Sequence, residues 1–282
     1  MTYKNNPGPG FRRKKIALFL TRFIIIFLLS FSFVGRSRGQ NACDVRNTAF
    51  REGEKISYKI YYTVAGVYIA AGEVNFQCTL ENFENKPAFH ITATGKTYSF
   101  YDNFFKVRDK YESIMDTSTL QTYRFERNVY EGGTKKYENI RFNRDASTII
   151  TDKGVFKVPE CTRDVLGTMY YARNIDFDKL KTGDKIYFNI FLDNQLHPTY
   201  VRYLGREILK TKSGKYRTIK FKPNLIKGTM FQAGEHMTVW VSDDPDHVPL
   251  QVESTIVIGK IRVEMQEFEG RRTPLSSRIS DP

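Results

Sequence analysis

EKISYKIYYTV (54–64) and VYIAAGEVNFQCTL (67–80) stand on either side of Ala65-Gly66. The first run alternates and is rich in β-branched and aromatic residues, and the second follows directly after Gly66. A glycine turn between the two runs predicts an antiparallel β-hairpin. The same pattern continues downstream. FHITATGKTY (89–98) follows the polar turn ENFENKP, and FFKVRDKYESIMD (104–116) alternates with period two. That period puts Phe105, Val107, Asp109, Tyr111 and Ser113 on one face, and Phe104, Lys106, Arg108, Lys110 and Glu112 on the other. LQTYRFERNVYEGG (120–133) and KYENIRFNRD (136–145) flank Gly132-Gly133, and STIITDKGVFKVP (147–159) reads as a further hairpin.

One segment departs from this rhythm. TRDVLGTMYYARNI (162–175) predicts a helix over about residues 163–174. Thr162 is the expected N-cap, with Asp164 in the first turn and Arg173 in the last, as the helix dipole favours. Val165, Leu166, Met169, Tyr170 and Ala172 form its apolar face. Strands resume over 184–209, 210–223 (with a Ser213-Gly214 turn) and 235–270 (with a tight turn at Asp243–Asp246). Consecutive strands joined by tight turns form antiparallel meanders, and a sheet of about a dozen strands must curl or close. The expected fold is mainly β: a single antiparallel, strongly curved sheet or partly open β-barrel with one short helix. No linker divides residues 40–270, which read as one domain, and RRTPLSSRISDP (271–282) reads as a disordered tail.

Residues 1–39 are of another kind. A basic lead precedes the apolar run FIIIFLLSFSFV (23–34), which is shorter than the roughly twenty residues needed to span a bilayer. This reads as a secretory signal peptide cleaved before Gln40. The alternatives are an uncleaved anchor, or cleavage after Ala42 with lipidation of Cys43; Gln40 and the distance of Cys43 from the apolar run speak against the lipoprotein. Residues 1–39 hold eight of the cationic residues and no acidic one, so without them the net charge falls from +13 to +5. That mild excess and an export signal both argue against a nucleic-acid partner. The expected location is the periplasm or the outer membrane's surface, close to a membrane but with no transmembrane span in the mature chain.

Cys43, Cys78 and Cys161 show no metal-site spacing. In an exported chain Cys43 and Cys161, both at element edges in polar surroundings, are the candidate disulfide; three free thiols is the other reading. The four histidines are dispersed, and no nucleophile–base, metal or phosphate-loop motif is present. No catalytic residue, metal or cofactor is therefore assigned. Asp109 shares a face with Phe105, Val107 and Tyr111 and needs a partner if buried; Arg173 is the expected one, with Arg124 and Arg127 as others.

Six stretches carry a resemblance: GEKISY (53–58), AGEV (71–74), VRDKYES (107–113), DVLGTMYYAR (164–173), TKSGKYRTIKFKP (211–223) and WVSDDPDHVPLQVES (240–254). In that order the chain resembles the domain-of-unknown-function 3108 family of exported bacterial proteins, over about Cys43 to Phe268. The family implies no activity and no catalytic residues. Trp240, Asp243, Asp244 and Pro249 are also similar to the closing hairpins of LolA/LolB-type lipoprotein carriers, which implies a half-open barrel with a helical lid over an apolar cavity. The leading expectation is a non-catalytic binder of an apolar or lipid-like ligand. Phe100, Tyr101, Phe104 and Phe105 would sit at the cavity mouth, on a loop marked by Asp102-Asn103, and Val165, Leu166 and Met169 would line the interior. The alternative is a structural or interaction module with an envelope protein partner; an unrecognised hydrolase is the third reading.

Overall fold

The computed structural model describes residues 45–64, 66–228, 231–256 and 259–279. The expected signal peptide, its cleavage site and Cys43 lie outside them. Two meanders make up the sheet. The first is β1 (Lys55–Val64), β2 (Val67–Phe83), β3 (Lys86–Thr97), β4 (Val107–Asp116), β5 (Thr122–Glu131), β6 (Thr134–Asn143), β7 (Thr148–Thr151) and β8 (Gly154–Lys157). The second is β9 (Lys185–Leu192), β10 (Gln195–Thr211), β11 (Gly214–Pro223), β12 (Met237–Ser242), β13 (Pro249–Thr255) and β14 (Lys260–Glu269). Pairing of β1 with β14 joins them into one antiparallel sheet whose edges are β8 and β9. The hairpin expected from residues 54–80 is the β1–β2 pair.

The chain crosses from one sheet edge to the other through α2 (Val165–Ala172) and a short 3-10 turn at Phe177–Lys179; α1 (Ser99–Phe105) precedes them in sequence. α2 packs on β4 and β9 and buries Leu166, Tyr170 and Tyr171 in the larger of two apolar cores. The two edges approach one another without a hydrogen-bonded ladder. Phe156 of β8 and Phe191 of β9 lie 5.3 Å apart, centroid to centroid. Asp193 and Asn194, at positive φ in the β9–β10 turn, reach the first meander: Arg127 and Lys136 bind Asp193 at 2.5 and 3.2 Å. The sheet is thus curved around α2 and left open.

Four expectations change. The N-cap of α2 is Asp164, which accepts from the Gly167 N–H at 2.8 Å; the Thr162 hydroxyl instead donates to Pro159 O at 2.7 Å. SFYDNFF is a helix and not a loop, so two helices are described where one was expected. The described part of the tail, residues 271–279, is built into the fold. β15 (Arg278–Ile279) pairs with β11, Leu275 packs in the smaller core, and the Thr273 hydroxyl donates to Asp246 at 2.7 Å. Arg173 does not pair with Asp109. Its guanidinium holds Glu54 by two bonds of 2.6 and 2.8 Å, and also donates to Asp246 O and Ala49 O. Glu54 immediately precedes β1 and is fully buried, and Arg173 caps the C-terminal end of α2. This pair therefore ties the helix to the seam between the meanders. Burial opposes the Arg173 charge, but the Glu54 carboxylate raises its pKa above the ordinary value.

Candidate functional site

Strand alternation sets what each face of the first meander shows. On β4, Tyr111, Ser113 and Met115 turn to the core, and Arg108 and Lys110 turn outward. At the end of the sheet that holds the β1–β2 and β5–β6 turns, β3 gives way to α1. None of the seven residues of α1 is buried. Phe100 and Phe104 are 69 and 77% exposed, Phe105 is 40% exposed, and the Phe100 ring lies 5.3 Å from Tyr101 and 5.9 Å from Phe104. Val67, Tyr68 and Ile69, also exposed, open β2 nearby, and the Tyr98 N–H bonds to Ala71 O of the same strand.

Polar contacts hold this helix, in place of burial. Asp102 accepts from the Thr97 hydroxyl at 2.7 Å and from both terminal nitrogens of Arg108 at 3.0 and 2.5 Å. Those bonds hold the Asp102 carboxyl below its ordinary pKa, Arg108 contributing most. Thr97 also accepts from the Val107 N–H at 3.0 Å, closing the chain across the helix. The last residue, Phe105, lies over the β5–β6 turn, where Gly132 has φ +56° and any Cβ would overlap the ring.

Beside α1, on the outer face of β2–β6, lies a trough of about 620 Å³ lined by Lys96, Lys106, Arg108, Lys110 and Lys135 among others. Lys96 meets Glu73 at 3.1 Å and Lys110 meets Glu112 at 2.8 Å. Lys106 sits 5.8 Å from the centroid of the Tyr130 ring. Asp109 also borders the trough and accepts from the Tyr130 N–H at 3.1 Å. Burial, and then the neighbouring Glu131 carboxylate, push the Asp109 carboxyl up to about 7. Of the alternative cations considered for Asp109, Arg127 acts on it only at a distance, because its guanidinium is taken by Glu138 and Asp193.

The expected site residues fall into two separate places. Phe100, Tyr101, Phe104 and Phe105 do come together, on α1. Leu166 is buried in the core, Val165 packs against it, and Met169 is 46% exposed. None of these three lines the trough or the smaller pocket of about 290 Å³ near Ser213 and Leu275. Lys106, Arg108 and Lys110 are neighbours in sequence and share the face expected of them, but Lys96 and Lys135 come from other strands, and only the register of β3–β6 sets them alongside. Cys161 is disulfide-bonded, and Cys78 is free and buried. Among the described residues no His/Cys/Asp/Glu cluster fits a metal, and no helix is long and apolar enough to cross a membrane. His90 contacts Glu81 and Glu112 at 2.9 and 3.2 Å, and His247 bonds through Nδ1 to Arg173 O at 2.6 Å.

No curated protein matches the sequence significantly. Among solved structures, the chain is similar to a β-barrel-like protein of the domain-of-unknown-function family DUF1849 from Brucella abortus. The identity is 8%, the TM-score 0.53, and the match covers 80% of this chain and 99% of that one. At this identity the likeness concerns the fold alone. A protein from Bacteroides fragilis with a YmcC-like fold, described as exported, matches at 10% identity over 80% of this chain and all of its own, with a TM-score of 0.35. The model of the family described as protein of unknown function (DUF3108) matches residues 57–266, from β1 to β14, and so takes in both meanders and both helices. The chain belongs to the DUF3108 family.

Proposed function

We propose that this protein is a non-catalytic component of the cell envelope that docks on a lipid surface through α1. The observation that carries the reading is the exposure of Phe100, Phe104 and Phe105 on a helix that buries nothing and is fixed by Asp102, Thr97 and Arg108. A contiguous exposed apolar patch on a water-soluble domain marks an interaction surface, and aromatic rings are favoured at the membrane interface. Val67 and Ile69, exposed at the start of β2, add apolar surface at the same end of the sheet. The signal-like segment over residues 1–39 supports delivery to the envelope, where such a surface is at hand.

An interior apolar site under Val165, Leu166 and Met169 has less support, since rings from α2 and the sheet occupy the concave side; Tyr171 and Phe188, for example, are 6.0 Å apart. Vesicle flotation tests the docking reading. The purified protein is expected to float with phospholipid vesicles, and the Phe100→Ser/Phe104→Ser double variant to stay behind with an unchanged melting temperature. Equal flotation of the two proteins, or none by the wild type, overturns it. If the wild type binds no vesicle but captures an envelope protein in a manner dependent on α1, the patch belongs to the protein-interaction alternative.

A further inference from the structure

Cross-strand register arranges the outer face of β2–β6 in rows. The row nearest α1 runs Glu73–Lys96–Arg108–Tyr130–Lys135. The next runs Asn75–Thr94–Lys110–Asn128–Tyr137, and the third Gln77–Thr92–Glu112–Glu126–Asn139. Among these three rows the two nearest α1 carry Lys96, Arg108, Lys135 and Lys110 against one acidic residue, Glu73, and the third carries Glu112 and Glu126; beyond it Arg124 and Arg141 pair in the next row. Lys96 and Arg108 are direct cross-strand partners, and like charges in that position destabilise a sheet. Lys106 and Lys135 have no ion pair, and the side chains of Asn75 and Asn128 no hydrogen-bond partner, among the described residues. Arg108 both lines the trough and holds Asp102 of α1, so the cationic rows and the aromatic helix form one continuous edge.

We infer that the trough beside α1 binds the phosphate-bearing headgroup of an anionic phospholipid while the rings of α1 enter the apolar layer. The inference rests on the docking reading above and adds to it the class of lipid. Lysines near an anionic surface strengthen attachment in proportion to their number, and a concave site of this size suits a small polar group. The acidic third row lies on the far side of the trough from α1, where repulsion from the same surface is smallest.

The test uses vesicles of phosphatidylcholine alone and with phosphatidylglycerol, comparing wild type with Lys110→Gln/Lys135→Gln. Neither lysine supports α1, so docking through the rings is left intact. The wild type is expected to prefer anionic vesicles, and the double variant to lose about fivefold of that preference per lysine, with binding to neutral vesicles unchanged. A wild type that binds both vesicles equally, or a double variant that keeps the full preference, overturns the headgroup site and leaves α1 docking standing. Binding to neither vesicle overturns both readings. Loss of the preference in millimolar inorganic phosphate at constant ionic strength is the result expected of a trough that takes the phosphate group; a wild type that binds inorganic phosphate but shows no preference for anionic vesicles would overturn the lipid source and assign the trough to a soluble phosphate.

Discussion

Ser99–Phe105 and Val165–Ala172 are the two α-helices of the described chain, of seven and eight residues. Both carry aromatic rings. In α2, Asp164 caps the first turn and accepts from Ser113 and Thr122 of the sheet at 2.8 and 2.5 Å, while Arg173 closes the last turn on Glu54. Five of its eight residues are buried. In α1 the N-cap residue Tyr98 makes no side-chain cap bond, no residue is buried, and one surface carboxylate, Asp102, secures the helix. The difference teaches that ring content does not decide whether a short helix is core. What decides is whether its polar ends find partners inside the fold or at its surface.

The largest effect should come from the buried end of α2. Arg173→Met or Glu54→Gln alone is expected to cost about 3–5 kcal/mol, because each strands a buried partner. The double variant should recover part of this but not all, since Ala49 O and Asp246 O also lose their donor. Urea unfolding midpoints measure both. Next comes the other end. Asp164→Ala is expected to cost about 2 kcal/mol, from the lost cap and from two buried hydroxyls left without an acceptor. If it costs nothing, the cap does not distinguish the two helices.

Asp109 lies at the α1 end and faces a carboxylate where Glu54 faces a guanidinium. Its folded-state pKa of about 7 lies above the unfolded value of about 3.9, so between those values the folded chain holds a proton that the unfolded chain has released. Its contribution to stability therefore falls as pH rises from about 4 to about 7. Asp109→Asn keeps an acceptor for the Tyr130 N–H and should flatten that slope, matching wild type near pH 4 and exceeding it at pH 8 in thermal melts. A lower melting temperature at every pH would mean that the carboxylate has a cationic partner after all. The smallest effect sharpens the comparison most. Phe104→Ser is expected to change unfolding free energy by less than about 0.5 kcal/mol, because the ring is solvated. A cost of the size expected for Asp164→Ala would make α1 part of the core.

Much of the fold was legible in local pattern. Alternation over 54–64 and 104–116, with turns at Gly66 and Gly132-Gly133, announced antiparallel pairing, and the pairs formed are those, except that Phe104 and Phe105 belong to α1 and β4 begins at Val107. Asp164 and Arg173 were seen to suit a helix, yet their sheet partners, Ser113, Thr122 and Glu54, lie 42 to 119 residues away. No period or spacing carries information over such a distance. The α1 rings were legible as a group because they are adjacent in sequence. Their state as a helix was not, because Asp102-Asn103 carries a turn signal and the bond that fixes the helix comes from Arg108, beyond its end.

The sequence by itself determined the elements that depend on neighbours in the chain: the strands, their turns and the place of one helix. Tertiary structure alone decided what depends on pairing across the sheet. It joined the two meanders at β1 and β14, closed α2 on Glu54, left Asp109 beside Glu131, and set Lys96, Arg108, Lys110 and Lys135 along one face. The physical reason is that alternation fixes which side of a strand a residue takes, whereas its neighbour across the sheet is fixed only by register.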